Sequence, residues 1–295
     1  MRVSILHWNR PADCLATVDA LRTQGLPLQF TIVDNHSSSE SIRVLESALP
    51  ADVELIRLPE NIGWGRAHNV VLRRWVDEET SPFCVIAAHD ALPQPACLTH
   101  LIEALDQHPD WGMACPEYGR PEVTRYGVFR GARLRKVAPR PNGTHEEVEY
   151  CHGTLAVFRR ECVREIGAFD ERFFAYGDET EIGLRARRAG WRVGLVWGAV
   201  VVNPGSSSGD AAIGYLWTRS SLRLARVLGG RLGLSLRLSY VVFVTGLLWL
   251  MRVPVESLSS PAARWRAIRD YLSGYCGPPP GLFTRRREHN PQIPF

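Results

Sequence analysis

Residues 153–193 read GTLAVFRRECVREIGAFDERFFAYGDETEIGLRARRAGWRV, and the acidic run near their centre guides the interpretation of the whole chain. Asp178 and Glu179 stand at the start of a helix predicted over 179–189, where small and apolar residues recur at helical spacing. Gly190 follows as a C-terminal cap. Carboxylates at a helix start lie near unpaired backbone N–H groups, which favour negative charge. Such acids either complement the helix dipole or take part in catalysis.

The residues just before the acids favour a catalytic role. Phe174, Tyr176 and Gly177 suggest a tight and partly apolar approach to Asp178 and Glu179. Partial burial raises the pKa of a carboxylate, and a carboxylate with a raised pKa can act as a general base. A purely structural first turn explains the same acids, so the rest of the chain has to distinguish the two interpretations.

The first ninety residues alternate between strand and helix patterns. Strands are predicted at 3–8, 30–33, 53–58 and 83–88, and helices at 13–24, 37–49 and 67–76. This rhythm predicts a parallel sheet covered by helices, in which ligands bind beyond the carboxyl ends of the strands. Polar residues follow all four strands: Asn9-Arg10, Asp34-Asn35, Asn61 to Arg66, and His89-Asp90. The sequence therefore predicts a ligand site at this edge.

Two features of this edge suit a diphosphate. Gly63 leads into a helix and can bring backbone N–H groups and Arg66 near a phosphate, although an ordinary turn explains the glycine equally well. Asp90 ends an apolar strand, and its carboxylate is a suitable ligand for a divalent cation. Neither GxGxxG after the first strand nor GxxxxGK[ST] is present, which excludes the Rossmann dinucleotide fingerprint and the P-loop.

Composition sets further limits. The chain has 295 residues, a net charge of +4 and seven cysteines without CxxC spacing. The mild charge gives no indication of a nucleic-acid partner, and the cysteines are typical of reduced core residues. No signal-peptide pattern precedes the first strand, so a cytoplasmic location is expected. Cys151 beside His152 is disfavoured as a nucleophile pair, because adjacent strand residues point to opposite faces.

The middle of the chain continues the alternation but contains one long connection. A helix is predicted at 98–108 and a short strand at 112–115. A strand at 154–159, a helix ending at 166 and a last strand at 192–202 complete the pattern. Residues 117–149 are irregular, basic and rich in glycine and proline, with hairpin-like pieces at 126–137. A connection of this length inside a domain is typical of a lid or a substrate-side loop.

Several segments together resemble the motifs of inverting family 2 glycosyltransferases, in particular bacterial rhamnosyltransferase-like members. They are VSILHWNR at 3–10, VDNHSS at 33–38, ENIGWGRAHN at 60–69, Asp90, and FDERFF at 169–174 followed by the acidic run. The resemblance covers about residues 1–205. It implies the GT-A fold, an α/β fold in which helices flank a mostly parallel central sheet.

The resemblance also implies roles for the matched residues. Glu179 would replace the usual catalytic aspartate as the general base, with Asp178 as the second candidate. Asp90 would hold Mg²⁺ or Mn²⁺, and Gly153 and Tyr176 would lie on the acceptor side. The nucleotide-diphosphate sugar would be bound by residues at the strand ends: Asn9, Asp34, Asn61, Gly63, Arg66, Asn69, His89 and Asp90. Relatives usually have a histidine near the end of the last strand, where this chain has Asn203.

The C-terminal third changes in composition. Arg219, Arg223 and Arg226 recur on one helix face, and residues 238–251 form an uncharged apolar run. That run is shorter than the roughly 20 residues that cross a bilayer. We therefore expect a membrane-associating helical appendage over 206–276, lying in the interface, and a flexible tail over 277–295. A buried helix, or a homodimer contact through these helices, explains the same run.

These observations lead to one main hypothesis and two alternatives. The main hypothesis is inverting sugar transfer to a glycan or polyprenyl-linked acceptor, in cell-envelope polysaccharide assembly at the inner face of the membrane. The first alternative is a catalytically silent protein of the same fold that binds a nucleotide or a partner. The second is a nucleotidyltransferase, which would need more basic residues in the first turn than Asn9-Arg10 provides.

Overall fold

A computed structural model describes residues 1–78, 81–203 and 210–281. The chain divides into two compact units, Met1–Pro204 and Gly205–Phe295. The predicted domain boundary at residue 205 lies outside the described residues, as do residues 282–295 of the predicted tail. Each unit is described below by itself.

The first unit begins with strands and helices in alternation. The strands are β1 (Arg2–His7), β2 (Gln29–Asp34), β3 (Glu54–Arg57) and β4 (Phe83–Ala88), and the helices are α1 (Pro11–Arg22), α2 (Ser39–Ala48) and α3 (Trp64–Glu78). β1 pairs in parallel with β2 and β4, and β3 pairs in parallel with β2. The carboxyl ends of all four strands therefore lie along one edge, and the predicted βα alternation is confirmed.

The second half of this unit inserts antiparallel strands. Its elements are β5 (Leu92–Pro93), α4 (Cys97–Gln107), β6 (Trp111–Glu117), β7 (Glu122–Gly127), β8 (Gly131–Lys136), β9 (His145–Val148), β10 (Leu155–Arg159), α5 (Arg160–Ile166), α6 (Asp178–Arg188) and β11 (Arg192–Val202). Within the described residues the main sheet has nine strands in the order β3-β2-β1-β4-β10-β6-β11-β5, with β9 paired to β11. β10 runs antiparallel between β4 and β6.

The connection predicted as irregular over 117–149 is more regular than expected. β7 and β8 form a separate antiparallel ribbon, and β9 joins the main sheet beside β11. The ribbon falls near the predicted hairpin at 126–137, whereas β9 was not predicted. Its sequence, HEEV, contains charged residues that hide the strand pattern, and among the described residues it pairs with β11 alone.

The sheet separates two apolar clusters. Val85 of β4 and Val157 of β10 pack in one cluster, and Ile86 and Phe158, the next residues along, pack in the other. This alternation follows the two-residue period of a strand. Because both faces are buried, these strands read as continuous apolar runs. All seven cysteines are free, and only Cys276 is not fully buried.

The second unit contains α7 (Asp210–Leu250) and α8 (Pro261–Leu272). α7 is interrupted at Gly230, whose φ is 61°, and we call residues 210–229 the first arm and residues 231–250 the second arm. The run predicted over 238–251 therefore belongs mostly to a longer helix. The two arms and α8 pack around Leu222, Val241 and Ile268.

The predicted basic stripe on the first arm is partly interior. Arg219 is only 2 % exposed, and its guanidinium donates to the Tyr215 hydroxyl at 3.0 Å. Tyr215 also donates to Asp270 Oδ2 at 2.8 Å. Tyrosine and aspartate partners within the helical unit therefore stabilise this charge, and Arg219 is not presented on an outer face.

Candidate active site

The end of β2 is fixed by a buried hydrogen bond between His7 and Asp34. His7 Nδ1 lies 2.8 Å from Asp34 Oδ1, and the Ser37 N–H donates to Asp34 Oδ2 at 3.2 Å. Burial alone would raise the pKa of Asp34, but the hydrogen bonds from His7 and Ser37 outweigh it and hold that pKa below its ordinary value. Asp34, predicted to contact the nucleotide, is thus held as a carboxylate at the strand end.

Asn9 stabilises the adjacent loop. Its φ is 56°, a left-handed conformation that asparagine tolerates better than most residues. Its Oδ1 accepts the Ser38 N–H at 2.8 Å, and its own N–H donates to Ser37 Oγ at 2.9 Å. Asn9 therefore shapes the rim of the site through the loop after β2.

Asn35 connects the end of β2 to the glycine loop before α3. Its Nδ2 donates to Asn61 Oδ1 at 2.9 Å, and its Oδ1 accepts the Ile62 N–H at 2.9 Å. Asn61 Oδ1 also accepts the Gly63 N–H at 3.1 Å. The sequence places Asn35 among the polar strand ends but does not indicate its role. Its position in the VDNHSS segment was the available signal.

The glycine loop packs directly against the segment that precedes α6. Gly63 has a φ of 93°, and a Cβ there would overlap the carbonyl oxygen of Phe174. The Trp64 N–H donates to that oxygen at 2.7 Å. The Gly65 N–H donates to Asp178 Oδ2 at 2.8 Å, so the start of α3 reaches the acidic run itself. Two segments more than one hundred residues apart in sequence thus form one site.

The acidic run has an unusual backbone. Tyr176 has a φ of 61° and Gly177 a φ of 150°, and α6 begins at Asp178, one residue before its predicted start. This conformation aims the Gly177 N–H at both carboxylates, at 3.3 Å from Asp178 Oδ1 and 3.1 Å from Glu179 Oε2. Strained backbone of this kind is concentrated at functional sites.

The two carboxylates differ in environment. Asp178 is fully buried and accepts from two backbone N–H groups, whereas Glu179 is half-buried. Burial, followed by the charge and hydrogen bond of neighbouring Asp178, raises the pKa of Glu179 well above its ordinary value near 4.5. Glu179 is therefore the carboxyl group of the pair that has the accessibility and the basicity of a general base.

Gly153 leaves space beside Glu179. A Cβ at residue 153 would lie 3.7 Å from Trp64 Cζ2 and 4.0 Å from the Glu179 carboxyl carbon. Gly153 is therefore close to both the Trp64 indole and the carboxyl group of raised pKa. Tyr176, the second predicted acceptor-side residue, is half-buried and lies three residues before Glu179. The structure brings both predicted residues to the acidic run.

Asp90 ends β4 in a largely buried position. It is 6 % exposed, and burial, with the nearby charge of Asp13, raises its pKa to about 6. Asn203 Nδ2 lies 3.4 Å from Asp90 Oδ1 and 3.0 Å from Thr154 Oγ1. Burial and the neighbouring His7 lower the pKa of His89 to about 4, so this ring is neutral at physiological pH.

The residues around Asp90 fit a cation that is shared with a substrate. No ion pair within the described residues includes Asp90, and no group of three His, Cys, Asp or Glu in that part of the chain could hold a metal alone. A buried carboxylate without a neutralising cation suits Mg²⁺, which often takes one or two carboxylates and completes its shell with water and substrate phosphates.

Among the predicted donor-binding residues, one is buried in structural contacts and another is paired at the surface of the edge. Asn69 is 1 % exposed, and its amide exchanges two hydrogen bonds with the backbone of Phe169, each 2.9 Å long. Asn69 therefore joins α3 to the FDERFF segment and is not presented to a ligand at this edge. Arg66 is half-exposed and pairs with Glu171 at 3.4 Å, which leaves its guanidinium at the surface of this edge.

The fold and this edge are those of a GT-A glycosyltransferase. Residues 3–167, more than half of the chain, match the family described as Glycosyl transferase family 2, and the chain belongs to that family.

Curated relatives are similar over part of their length. N-acetylglucosaminyl-diphospho-decaprenol L-rhamnosyltransferase from Mycobacterium tuberculosis is 23% identical over 197 residues, covering 56% of this chain and 62% of that protein. A low-salt glycan biosynthesis hexosyltransferase from Haloferax volcanii is 25% identical over 177 residues, covering 56% of this chain and 55% of that protein. The chain thus spans less than two thirds of the length of either relative.

Solved structures share the fold. A mannosyltransferase from Pyrobaculum calidifontis in complex with GDP-Man and Mn²⁺ has a TM-score of 0.58 and 17% identity, covering 92% of this chain and 86% of that one. GalNAc-T7 with UDP, GalNAc and Mn²⁺ has a TM-score of 0.63 and 11% identity, covering 92% and 55%. At these identities the likeness shows the fold alone.

Proposed function

We propose that the chain transfers a sugar from a nucleotide-diphosphate sugar to an acceptor hydroxyl, with inversion at the anomeric carbon. The observation that carries this proposal is the Asp178–Glu179 pair, which is joined to the glycine loop through Gly65 and has a half-buried carboxyl group of raised pKa. Both features are what a base beside a bound donor requires.

The reaction is a single displacement. Glu179 accepts the proton of the acceptor hydroxyl, and the acceptor oxygen forms a bond to the anomeric carbon. The bond from that carbon to the diphosphate oxygen breaks on the opposite face, and the nucleoside diphosphate leaves with the electron pair. Asp178 positions Glu179 and, by its charge, keeps the base strong. General-base assistance of this type contributes about 10²–10⁴-fold to the rate.

The donor occupies the carboxyl edge of the sheet. Asp34 and Asn61 lie on the nucleotide side, and Gly63 and Arg66 lie on the diphosphate side. Asp90 would hold a Mg²⁺ or Mn²⁺ ion together with the donor, and a bound cation would neutralise charge that develops on the leaving diphosphate. His89, neutral because of its lowered pKa, would remain a hydrogen-bonding group beside it.

A lipid-linked acceptor fits both the relatives and the second unit. One curated relative is named for a diphospho-decaprenol acceptor, which supports a polyprenyl-linked glycan in cell-envelope assembly. Among the described residues, α7 is the one helix that is long enough and apolar enough to cross a membrane, judged by length and composition alone. Large apolar residues of its second arm are exposed, with Phe243 at 71% and Leu250 at 80%. We place this arm on the cytoplasmic face of the membrane.

Hydrolysis and transfer assays with a panel of nucleotide sugars, with Mn²⁺ or with EDTA, test this proposal. We expect Glu179→Gln to lower turnover by about 10²–10⁴-fold while nucleotide binding persists. Glu40→Gln, an exposed acid on α2, is the matched control and should behave as the wild type. Analysis of the product anomer by NMR tests inversion. Nucleotide binding without turnover on any acceptor would favour the catalytically silent alternative.

A further inference from the structure

The ribbon of β7 and β8 carries a concentrated positive charge. Residues 120–140 contain seven arginines or lysines and one glutamate, a net charge of +6, whereas the whole chain has +4. The ribbon is a two-stranded sheet of its own, outside the main sheet. Its charge is therefore a local property that the proposed donor site does not use.

The register of the ribbon places like charges together. Arg125 lies directly opposite Arg133, and Val123 lies opposite Arg135, so the three arginines share one face of the ribbon. Gly127 and Gly131 are opposite each other on the same face and leave room beside the arginines. Like charges directly opposite destabilise a strand pair. This arrangement is consistent with a bound anion.

Most of these charges have no internal counter-ion. Arg125 Nη2 lies 3.9 Å from Glu146 Oε1, but no ion pair within the described residues includes Arg130, Arg133, Arg135 or Lys136. Arg133 Nη1 is buried without a hydrogen-bond partner. It lies 3.5 Å from the position that a Cβ would take at Gly127. A buried guanidinium nitrogen without an acceptor is costly unless a ligand supplies one.

Tyr150 attaches this ribbon to the helix that carries the base. Its hydroxyl donates to the Arg133 carbonyl oxygen at 3.4 Å, and Thr124 Oγ1 donates to the Tyr150 carbonyl oxygen. Tyr150 also packs against α6, where a Cβ at Gly183 would overlap it. Burial and the nearby charge of Glu179 raise the pKa of the Tyr150 hydroxyl. The arginine face thus belongs to a segment seated on α6.

We propose that Arg125, Arg133 and Arg135 bind the diphosphate of the acceptor. This inference rests on the proposed function, in which the acceptor is a sugar joined to a polyprenyl diphosphate. The diphosphate of such an acceptor lies one sugar ring away from the hydroxyl that reaches Glu179. Arginine forks match phosphate oxygens in two hydrogen bonds at once, which a single lysine does not.

Binding to the full chain tests the assignment. The probes are farnesyl diphosphate, farnesol and a nucleoside diphosphate, measured by calorimetry. We expect the double variant Arg133→Gln, Arg135→Gln to weaken farnesyl diphosphate binding at least about tenfold, with no change for the nucleoside diphosphate. Arg43→Gln, an exposed arginine on α2, is the matched control and should change neither affinity. Farnesol should bind weakly to every variant.

Further variants distinguish a folding defect from loss of the anion site, and the acceptor diphosphate from the donor diphosphate. Arg133→Lys, Arg135→Lys keeps the charge but not the planar fork, and should recover only part of the affinity. Equal affinity of the double variant and the wild type for farnesyl diphosphate would overturn the inference. A double variant that loses only nucleoside diphosphate binding would overturn it too, because the ribbon would then bind the donor. Glu179→Gln should keep prenyl diphosphate binding. If the wild type binds that probe through the ribbon but never transfers sugar, the inference stands and the proposed function fails.

Discussion

The carboxylates of Asp178 and Glu179 share one backbone donor, the N–H of Gly177, at 3.3 and 3.1 Å. Two acids that converge on a single N–H group repel each other when both are ionised, and the half-buried member retains its proton to a higher pH. Burial is the largest cause of the raised pKa of Glu179, and the neighbouring Asp178 carboxylate raises it further. Because the two carboxylates have different partners, mutation of each one should have a different effect.

Asp178→Asn should change both stability and the pH profile. The amide keeps one oxygen acceptor, so either the Gly65 N–H loses its acceptor or the Gly177 N–H is left with Glu179 alone, at a cost of about 1–3 kcal/mol. Removal of the Asp178 charge should lower the pKa of Glu179 and move the acid limb of the rate profile to lower pH. Denaturant titration and pH–rate measurements check these effects, with Asp106→Asn as an exposed control. An unmoved acid limb would contradict the coupling.

Glu179→Gln should become more stable than the wild type as the pH rises. Below about 4.5 the glutamate is neutral in both the folded and the unfolded states, so the variant has little advantage. Above that value the glutamate ionises in the unfolded state but keeps its proton in the folded state. The stability of the wild type therefore falls as the pH rises, until the pH reaches the raised pKa of the folded state. Thermal melts of both proteins between pH 4 and 8 measure the difference. A difference in Tm that stays constant with pH would argue against a raised pKa at this position.

Removal of Asp90 should make donor binding independent of the cation. In the wild type, Mn²⁺ should strengthen binding of the nucleotide sugar relative to EDTA, because a cation held by Asp90 would offset the negative charge of the diphosphate. In Asp90→Asn the affinities with Mn²⁺ and with EDTA should be equal. Calorimetry under both conditions gives the comparison. A full Mn²⁺ effect in the variant would place the cation on other ligands.

Gly63→Ala should destabilise the first unit more than Gly25→Ala. Both glycines have positive φ, and the left-handed backbone alone costs about 1–2 kcal/mol for alanine. At Gly63 the added methyl also overlaps the Phe174 carbonyl, and overpacking adds about 1–3 kcal/mol. Nothing lies within 4 Å of a Cβ at Gly25, so that variant isolates the backbone effect. Equal unfolding free energies for the two variants would refute the close packing.

The second arm should bind anionic vesicles through its exposed apolar side chains. Residues 210–281 contain nine arginines and three acids, so vesicles with anionic phospholipids should be preferred and high salt should weaken binding. The triple variant Phe243→Ser, Leu247→Ser, Leu250→Ser should lose at least tenfold in sedimentation with vesicles, because each buried side chain contributes about 1.5–3 kcal/mol. Val44→Ser, an exposed apolar residue on α2, is the control. Unchanged binding, or a homodimer that the triple variant dissociates, would identify protein rather than lipid as the partner.

The parallel half of the sheet was predictable because its strands are buried on both faces. Phe83–Ala88 is an apolar run long enough for one strand, and its predicted and observed limits agree. β5 and β9 were missed because they contain two and four residues and carry proline or charge, so tertiary pairing with β11 defines them. The kink at Gly230 was also missed, although the Gly229-Gly230 pair was the available signal.

The residues of the candidate site could be predicted from the sequence, but the contacts between them could not. The motifs indicated Glu179, Asp34 and Asp90, and the structure places all three at the predicted edge or beside it. No local pattern shows that Gly65 donates to Asp178 or that Gly177 serves two carboxylates, because both contacts depend on the approach of α3 to α6. For the same reason the sequence did not distinguish Asn69, which is packed inside, from a ligand-facing asparagine.

Gly63 packs against the Phe174 backbone without room for a side chain, which limits how these two segments can be engineered. Residues 60–65 and 169–179 should not be exchanged independently with those of a relative, because the backbones of the two segments are in direct contact. A chimaera that imports residues 60–65 alone should displace the turn before α6 and misalign the proposed base. Transplanting both stretches as a single module should preserve the fit. We therefore expect the proposed donor loop and the proposed catalytic turn to vary together among relatives.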